Sequence, residues 1–103
     1  MKIVKVTYSA QPDFAAQNSI NIKAVMSDLQ QLNSPGIFYH ACLCPDGKTF
    51  IHTAFFNSDE DHKLLNELPS FLFFQQQLKN GGFETPPKQE LLTLVGSSRN
   101  IFS

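Results

Sequence analysis

His52 stands in the run Thr49-Phe50-Ile51-His52-Thr53, an imidazole set among apolar and β-branched neighbours. In such a setting it can accept a proton near neutral pH or anchor a bound phenol or acid. The same residue also fits a bland role, a buried imidazole bonded to the next strand or to a second copy of the chain. Lys5, on an early apolar segment, is expected to point into the same cavity beside Thr7, where a partly buried ammonium loses basicity and binds an acid; at the rim it would only snorkel to water. Tyr8 and Tyr39 add phenolic hydroxyls that either donate into a pocket or pack with a wet tip. His40, Cys42 and Cys44 alternate along one segment at a spacing that lets two strand ligands share a metal. A third ligand is missing, so no metal site is expected and the cysteines read as small buried hydrophobes. His62, among Asp59, Glu60 and Asp61, reads as a solvated helix residue. Ser-His-Asp spacing, a phosphate-cradling Gly loop and paired carboxylates are all lacking.

The elements that must position these groups centre on Gly36 to Asn57. Two apolar runs, Ile37 to Cys44 and Thr49 to Phe56, flank Pro45-Asp46-Gly47-Lys48, a turn whose Pro presets one dihedral and whose Gly accepts a positive one. With Pro45 opposite Lys48, Leu43 faces Phe50, Ala41 faces His52, Tyr39 faces Ala54 and Ile37 faces Phe56 on one side. Phe38, His40, Cys42 and Cys44 lie on the other with Ile51, Thr53 and Phe55. Both faces are greasy, so the hairpin must be covered twice.

Before it, Lys2 to Ser9 reads as a strand with an apolar side, Val4, Val6 and Tyr8, and a mixed side, Ile3, Lys5 and Thr7. Asp13 is the expected N-cap of a helix from Phe14 to Leu32, with Phe14, Ala15, Ile22, Val25, Met26, Leu29 and Leu32 on one face. Asn33-Ser34-Pro35-Gly36 ends it. After the hairpin, Asn57-Ser58-Asp59-Glu60-Asp61 starts a second helix whose inner face is Leu64, Leu65 and Leu68. Pro69 kinks or restarts that helix. Phe71, Leu72, Phe74, Gln75 and Leu78 then face the core, Phe73 points elsewhere, and Asn80-Gly81-Gly82 closes the element. Phe83 to Lys88, with Pro86-Pro87, reads as an extended connector, and Glu90 to Gly96 as the last strand.

The chain's 103 residues suit a single domain, 1–103, large enough to bury a core unaided. A net charge of −1 lacks the basic footprint that nucleic acid selects. No apolar run approaches the roughly 20 residues of a membrane span. No signal-peptide pattern precedes the first strand, and two cysteines two apart on one strand face cannot form a usual bridge. A reduced cytoplasmic setting without nucleic-acid or membrane partners is therefore expected.

The order strand, helix, hairpin, helix, strand predicts an α+β fold, the ferredoxin-like βαββαβ sandwich with a four-stranded antiparallel sheet. Two helices cover one side. The other is expected to carry Ile37, Tyr39, Leu43, Phe50 and Phe56, more apolar area than a monomer exposes, and to be hidden by a second copy about a two-fold axis. Gly36 before the second strand, Asp46-Gly47-Lys48-Thr49-Phe50 at the turn and the Leu68-Pro69-Ser70-Phe71 break make the chain resemble the dimeric α+β barrel superfamily, which includes the antibiotic-biosynthesis-monooxygenase-like and stress-responsive barrel families. The resemblance implies a homodimer whose facing sheets enclose a cavity for a small, often aromatic, molecule. It also implies chemistry that in some members is oxygenation without metal or flavin, so no cofactor is expected. Other members degrade haem with an Asn on the first strand and a Trp and His on the second helix; here Thr7, the lack of Trp and only His62 depart from that pattern.

The expected ligand is a small apolar or aromatic molecule held by Lys5, Ile37, Tyr39, Phe50, His52 and Phe56. Two rivals stand beside binding alone: a cofactor-independent monooxygenase or isomerase with His52 as catalytic proton acceptor, and a packing-only dimer without a pocket.

Overall fold

The computed structural model describes residues 1–102. Four strands, β1 (Lys2–Ala10), β2 (Ile37–Leu43), β3 (Thr49–Phe56) and β4 (Phe83–Leu92), form one antiparallel sheet in the order β2-β3-β1-β4. Helices α1 (Ala15–Leu32), α2 (Asp59–Asn66) and α3 (Pro69–Gln77) complete the βαββαβ order. The fold class expected from the element order is the one observed, and so is the hairpin register, with Ile37 opposite Phe56, Ala41 opposite His52 and Leu43 opposite Phe50. The turn is held by Asp46, whose carboxylate accepts from the backbone N–H of Lys48 and Thr49, while Gly47 takes φ 76°.

The face beneath the helices is the reverse of the expected one. β1 decides it: its fully apolar side, Val4 and Tyr8 with Val6 between them, packs under α1 and α3, and the β1–β3 register sets Val4 beside Ala54, Val6 beside His52 and Tyr8 beside Phe50. Phe50 and Phe56 therefore lie in the helix-covered core, with Phe56 1% exposed, rather than on a face awaiting a second copy. Ile37 and Tyr39 pack against that same core from the β2 edge. The open face instead carries Phe38, His40, Cys42, Ile51, Thr53 and Phe55, with Phe38 48% exposed and stacked on Phe55 at 5.6 Å.

Local chemistry accounts for most boundaries. Ser58 caps α2, its Oγ accepting from the Asp61 N–H, and Asp59, Glu60 and Asp61 occupy the positive end of the helix. Gly36 packs on the Asp61 carboxylate, where a Cβ would overlap it. Pro69 starts α3 at its first turn, where a missing N–H costs nothing. In α2 Leu65 turns inward and Leu64 faces out; after the break Phe74 and Leu78 turn inward while Leu72 faces out, and Phe73 is exposed, as expected. A wide turn over Leu78–Gly82, with Gly81 at φ 95°, leads into β4.

Two expected boundaries differ. Asp13 does not cap α1. Phe14 occupies the cap position without a side-chain bond, its ring packed against Gly82, so tertiary contact replaces capping. β4 begins at Phe83 rather than Glu90 and ends at Leu92 rather than Gly96, absorbing Pro86 and Pro87. An edge strand tolerates proline, and the register shift between Thr7 and Ser9 is where the ladder gives way. No helix among the described residues is long and apolar enough to cross a membrane.

Candidate functional site

The buried residues of the first helix, Ala15, Asn18, Asn21, Ile22 and Val25, bring two amides into an otherwise apolar layer over β1 and β3. There Nδ2 of Asn18 donates to the Tyr8 hydroxyl at 2.8 Å. The Tyr8 hydroxyl lies 2.9 Å from Nε2 of His52, and Nδ1 of His52 lies 2.5 Å from the Tyr39 hydroxyl. α1, β1, β3 and β2 thus each contribute one member of a continuous polar chain. Aromatic contacts hold the rings in place: Tyr8 stacks on Phe50 and His52, Phe83 meets Tyr8 edge-on, Phe74 packs on His52 and Phe71 on Tyr39.

Burial governs the charges. His52 is 5% exposed, and desolvation, assisted by His40 across the sheet, pushes its pKa down to about 4. Burial raises the Tyr8 phenol well above its ordinary value, with the Asn18 hydrogen bond pulling partly the other way. Burial also raises Tyr39, helped by its proximity to Tyr8. Near neutral pH all three groups are uncharged, a set of neutral donors and acceptors on an apolar wall.

A hollow of about 200 Å³ opens beside this chain, between β1, β3, α3 and β4, and adjoins a second of about 120 Å³. The two share Val6, Tyr39, His52, Phe71, Gln75 and Gln89. Lys79 and Pro87 border the larger lobe, and His62 the smaller. His62 is not a purely solvated residue: it stacks on Phe56 at 4.3 Å, and partial burial lowers its pKa. A wider groove of about 360 Å³ follows α1 and the β2 edge. Its Lys23, Gln30 and His40 are exposed, and of the polar chain it touches Tyr39 but neither Tyr8 nor His52.

Of the expected site residues, Tyr39 and His52 meet at the hollow. Phe56 lines its smaller lobe, Phe50 lies one layer behind, stacked on Tyr8, and Ile37 borders a separate groove with Phe38 and Met26. Lys5 is not with them. It pairs with Thr53 and Glu90 on the open face, because odd and even β1 positions point to opposite sides. The hollow is within one chain rather than between two sheets. Both ring nitrogens of His52 are already hydrogen-bonded, Nε2 to Tyr8 and Nδ1 to Tyr39. His40 and Cys42 lie on the open face, and the described residues include no cluster of three or more metal-ligating side chains. Asn18 was missed; its signal was a polar residue at helical period within an apolar stripe.

No family model and no curated protein matches the sequence. Solved structures do match by shape. An antibiotic biosynthesis monooxygenase covers 93% of this chain and 100% of its own at a TM-score of 0.77 and 11% identity. A protein from Pseudomonas aeruginosa covers 92% and 94% at 0.77 and 15%. SnoaB, a cofactor-independent oxygenase from Streptomyces nogalater, covers 96% and 98% at 0.68 and 12%. The chain has the antibiotic-biosynthesis-monooxygenase-like fold. In this chain that fold places the polar chain and its hollow between sheet and helices, while the other sheet face keeps Phe38 and His40 exposed.

Proposed function

We propose that this protein binds a small aromatic molecule bearing a polar oxygen in the hollow beneath its helices, with the Tyr39 hydroxyl as first contact and His52 behind it as its hydrogen-bond partner. The single observation that carries this reading is the neutral Tyr39–His52–Tyr8 chain, with Tyr8 and His52 buried and the partly buried Tyr39 at a hollow lined by Phe71 and Val6. A volume near 200 Å³ lies below the roughly 300 Å³ at which drug-sized ligands begin, so one or two fused rings fit. Oxygenation without a cofactor, the activity named for SnoaB, is the reaction to test first; in it the Tyr39 hydroxyl hydrogen-bonds the ligand's oxygen and His52 holds Tyr39 in place. The protein works as a cytoplasmic homodimer in this reading, the second copy covering Phe38, Phe55 and Ile51.

Calorimetric titration with a panel of one- and two-ring phenols, ketones and carboxylates tests binding. Saturable binding that Tyr39→Phe weakens supports the site; failure of every compound to bind at millimolar concentration sinks it. Between binder and enzyme, His52→Ala decides: loss of product with affinity retained selects the enzyme, and loss of affinity alone selects the binder.

A further inference from the structure

Asn18 is 0% exposed in the middle of the α1 stripe and does not line the hollow. A buried amide is costly unless bonded, so its place in the core asks for a physical reason. Its Nδ2 donates to the Tyr8 oxygen at 2.8 Å. The other partner of that hydroxyl is Nε2 of His52 at 2.9 Å, so the Tyr8 proton is satisfied only by donating to it. A neutral imidazole accepting at Nε2 carries its own proton on Nδ1, which therefore donates to the Tyr39 oxygen. The Tyr39 proton is left over, at a wall common to both lobes of the hollow.

The start of the chain favours the same direction. Gln17 Nε2 donates to Asn21 Oδ1 at 3.0 Å, so Asn21 keeps a buried amide N–H₂ without a partner, and the unpartnered atom of Asn18, three residues earlier on that helix face, is its carbonyl oxygen. Turning the Asn18 amide over would set two unpartnered N–H₂ groups on one face in place of a donor and an acceptor.

We propose that Asn18 is a positioning residue that sets the direction of this hydrogen-bond chain, so that Tyr39 presents a donor and the hollow selects aromatic ketones, quinones, carboxylates or phenolates over compounds offering only an N–H or O–H. The preference rests on the hollow being the ligand site, whereas the direction of the chain does not. Lys79 beside the larger lobe favours the same acceptor and anionic ligands.

Long-range ¹H–¹⁵N NMR of the ligand-free protein reads the His52 tautomer directly. The Nδ1–H form is expected; the Nε2–H form overturns the proposal. Two bicyclic probes of similar size then read the preference: 1-indanone, which only accepts, and indole, which only donates. Indanone is expected to bind about tenfold tighter. In Asn18→Asp, at a pH where the carboxylate is ionised and can only accept, Tyr8 donates to it, the tautomer switches and the order of the two probes reverses. Equal affinities in the wild type, or an unchanged tautomer and order in a folded Asn18→Asp, overturn the role. If neither probe nor any compound of the wider panel binds while the Nδ1–H tautomer is seen, the ligand site fails and the preference with it, and the chain direction stands as a structural fact alone.

Discussion

The two faces of this sheet come from the same strands, one residue out of step, and carry opposite chemistry. His52 and His40 show it within one hairpin: His52 is enclosed by Tyr8, Tyr39 and Phe74, while His40 stands exposed beside Phe38 and Phe55. Both faces hold a histidine among aromatic rings. Water is excluded around His52 and not around His40, and exclusion of water makes hydrogen bonds strong and charges expensive. Aromatic content is thus a poor guide to where chemistry sits, and desolvation a better one.

Breaking each face should have different consequences. Phe56→Ala removes a fully buried ring and is expected to cost about 3–5 kcal/mol, the range for such cavities. Phe38→Ala on the open face should change the unfolding free energy of the isolated chain by less than about 1 kcal/mol. Denaturant unfolding at several protein concentrations separates the two: Phe38→Ala should instead weaken self-association, read by sedimentation. Equal losses would show that the faces are not energetically distinct.

The second contrast is with pH. His52 is held near 4 in the folded chain against about 6.5 when unfolded. Its pKa is depressed by folding, so above about 6.5 it has no effect on stability. As pH falls from about 6.5 towards 4 the unfolded chain takes up a proton that the folded chain refuses, and stability drops. The full loss, reached below about 4, is on the order of 3 kcal/mol. His52→Gln should remove this contribution to the slope, measured by denaturation between those limits; an unchanged slope would mean that the imidazole is not desolvated.

The smallest effect is expected from Lys5→Ala. Lys5 faces away from the hollow, so affinity for any aromatic ligand should be unchanged in the same calorimetric titration. A large drop would mean that ligand is bound on the open face.

Much of this arrangement is legible from local pattern. Pro45-Asp46-Gly47 set the hairpin register residue by residue, Ser58 and Pro69 placed two helix starts, and the element order specified the topology. These are short-range matters of dihedral preference and capping, carried by a few adjacent residues. β4 was less legible because whether Pro86-Pro87 interrupts a strand depends on its being at a sheet edge, which neighbouring residues do not encode.

By itself the sequence determined that Phe50, His52, Ala54 and Phe56 share one side of a two-sided apolar hairpin. It did not determine which side the helices would cover, because both were apolar enough to be buried. Only tertiary structure decided that, through pairing of β1 with β3, which aligned Val6 with His52 and left Lys5 on the far side. The meeting of Asn18, Tyr8, His52 and Tyr39 was decided in the same way: four residues from four elements gain their chemistry from contact across the core, and only packing brings them together.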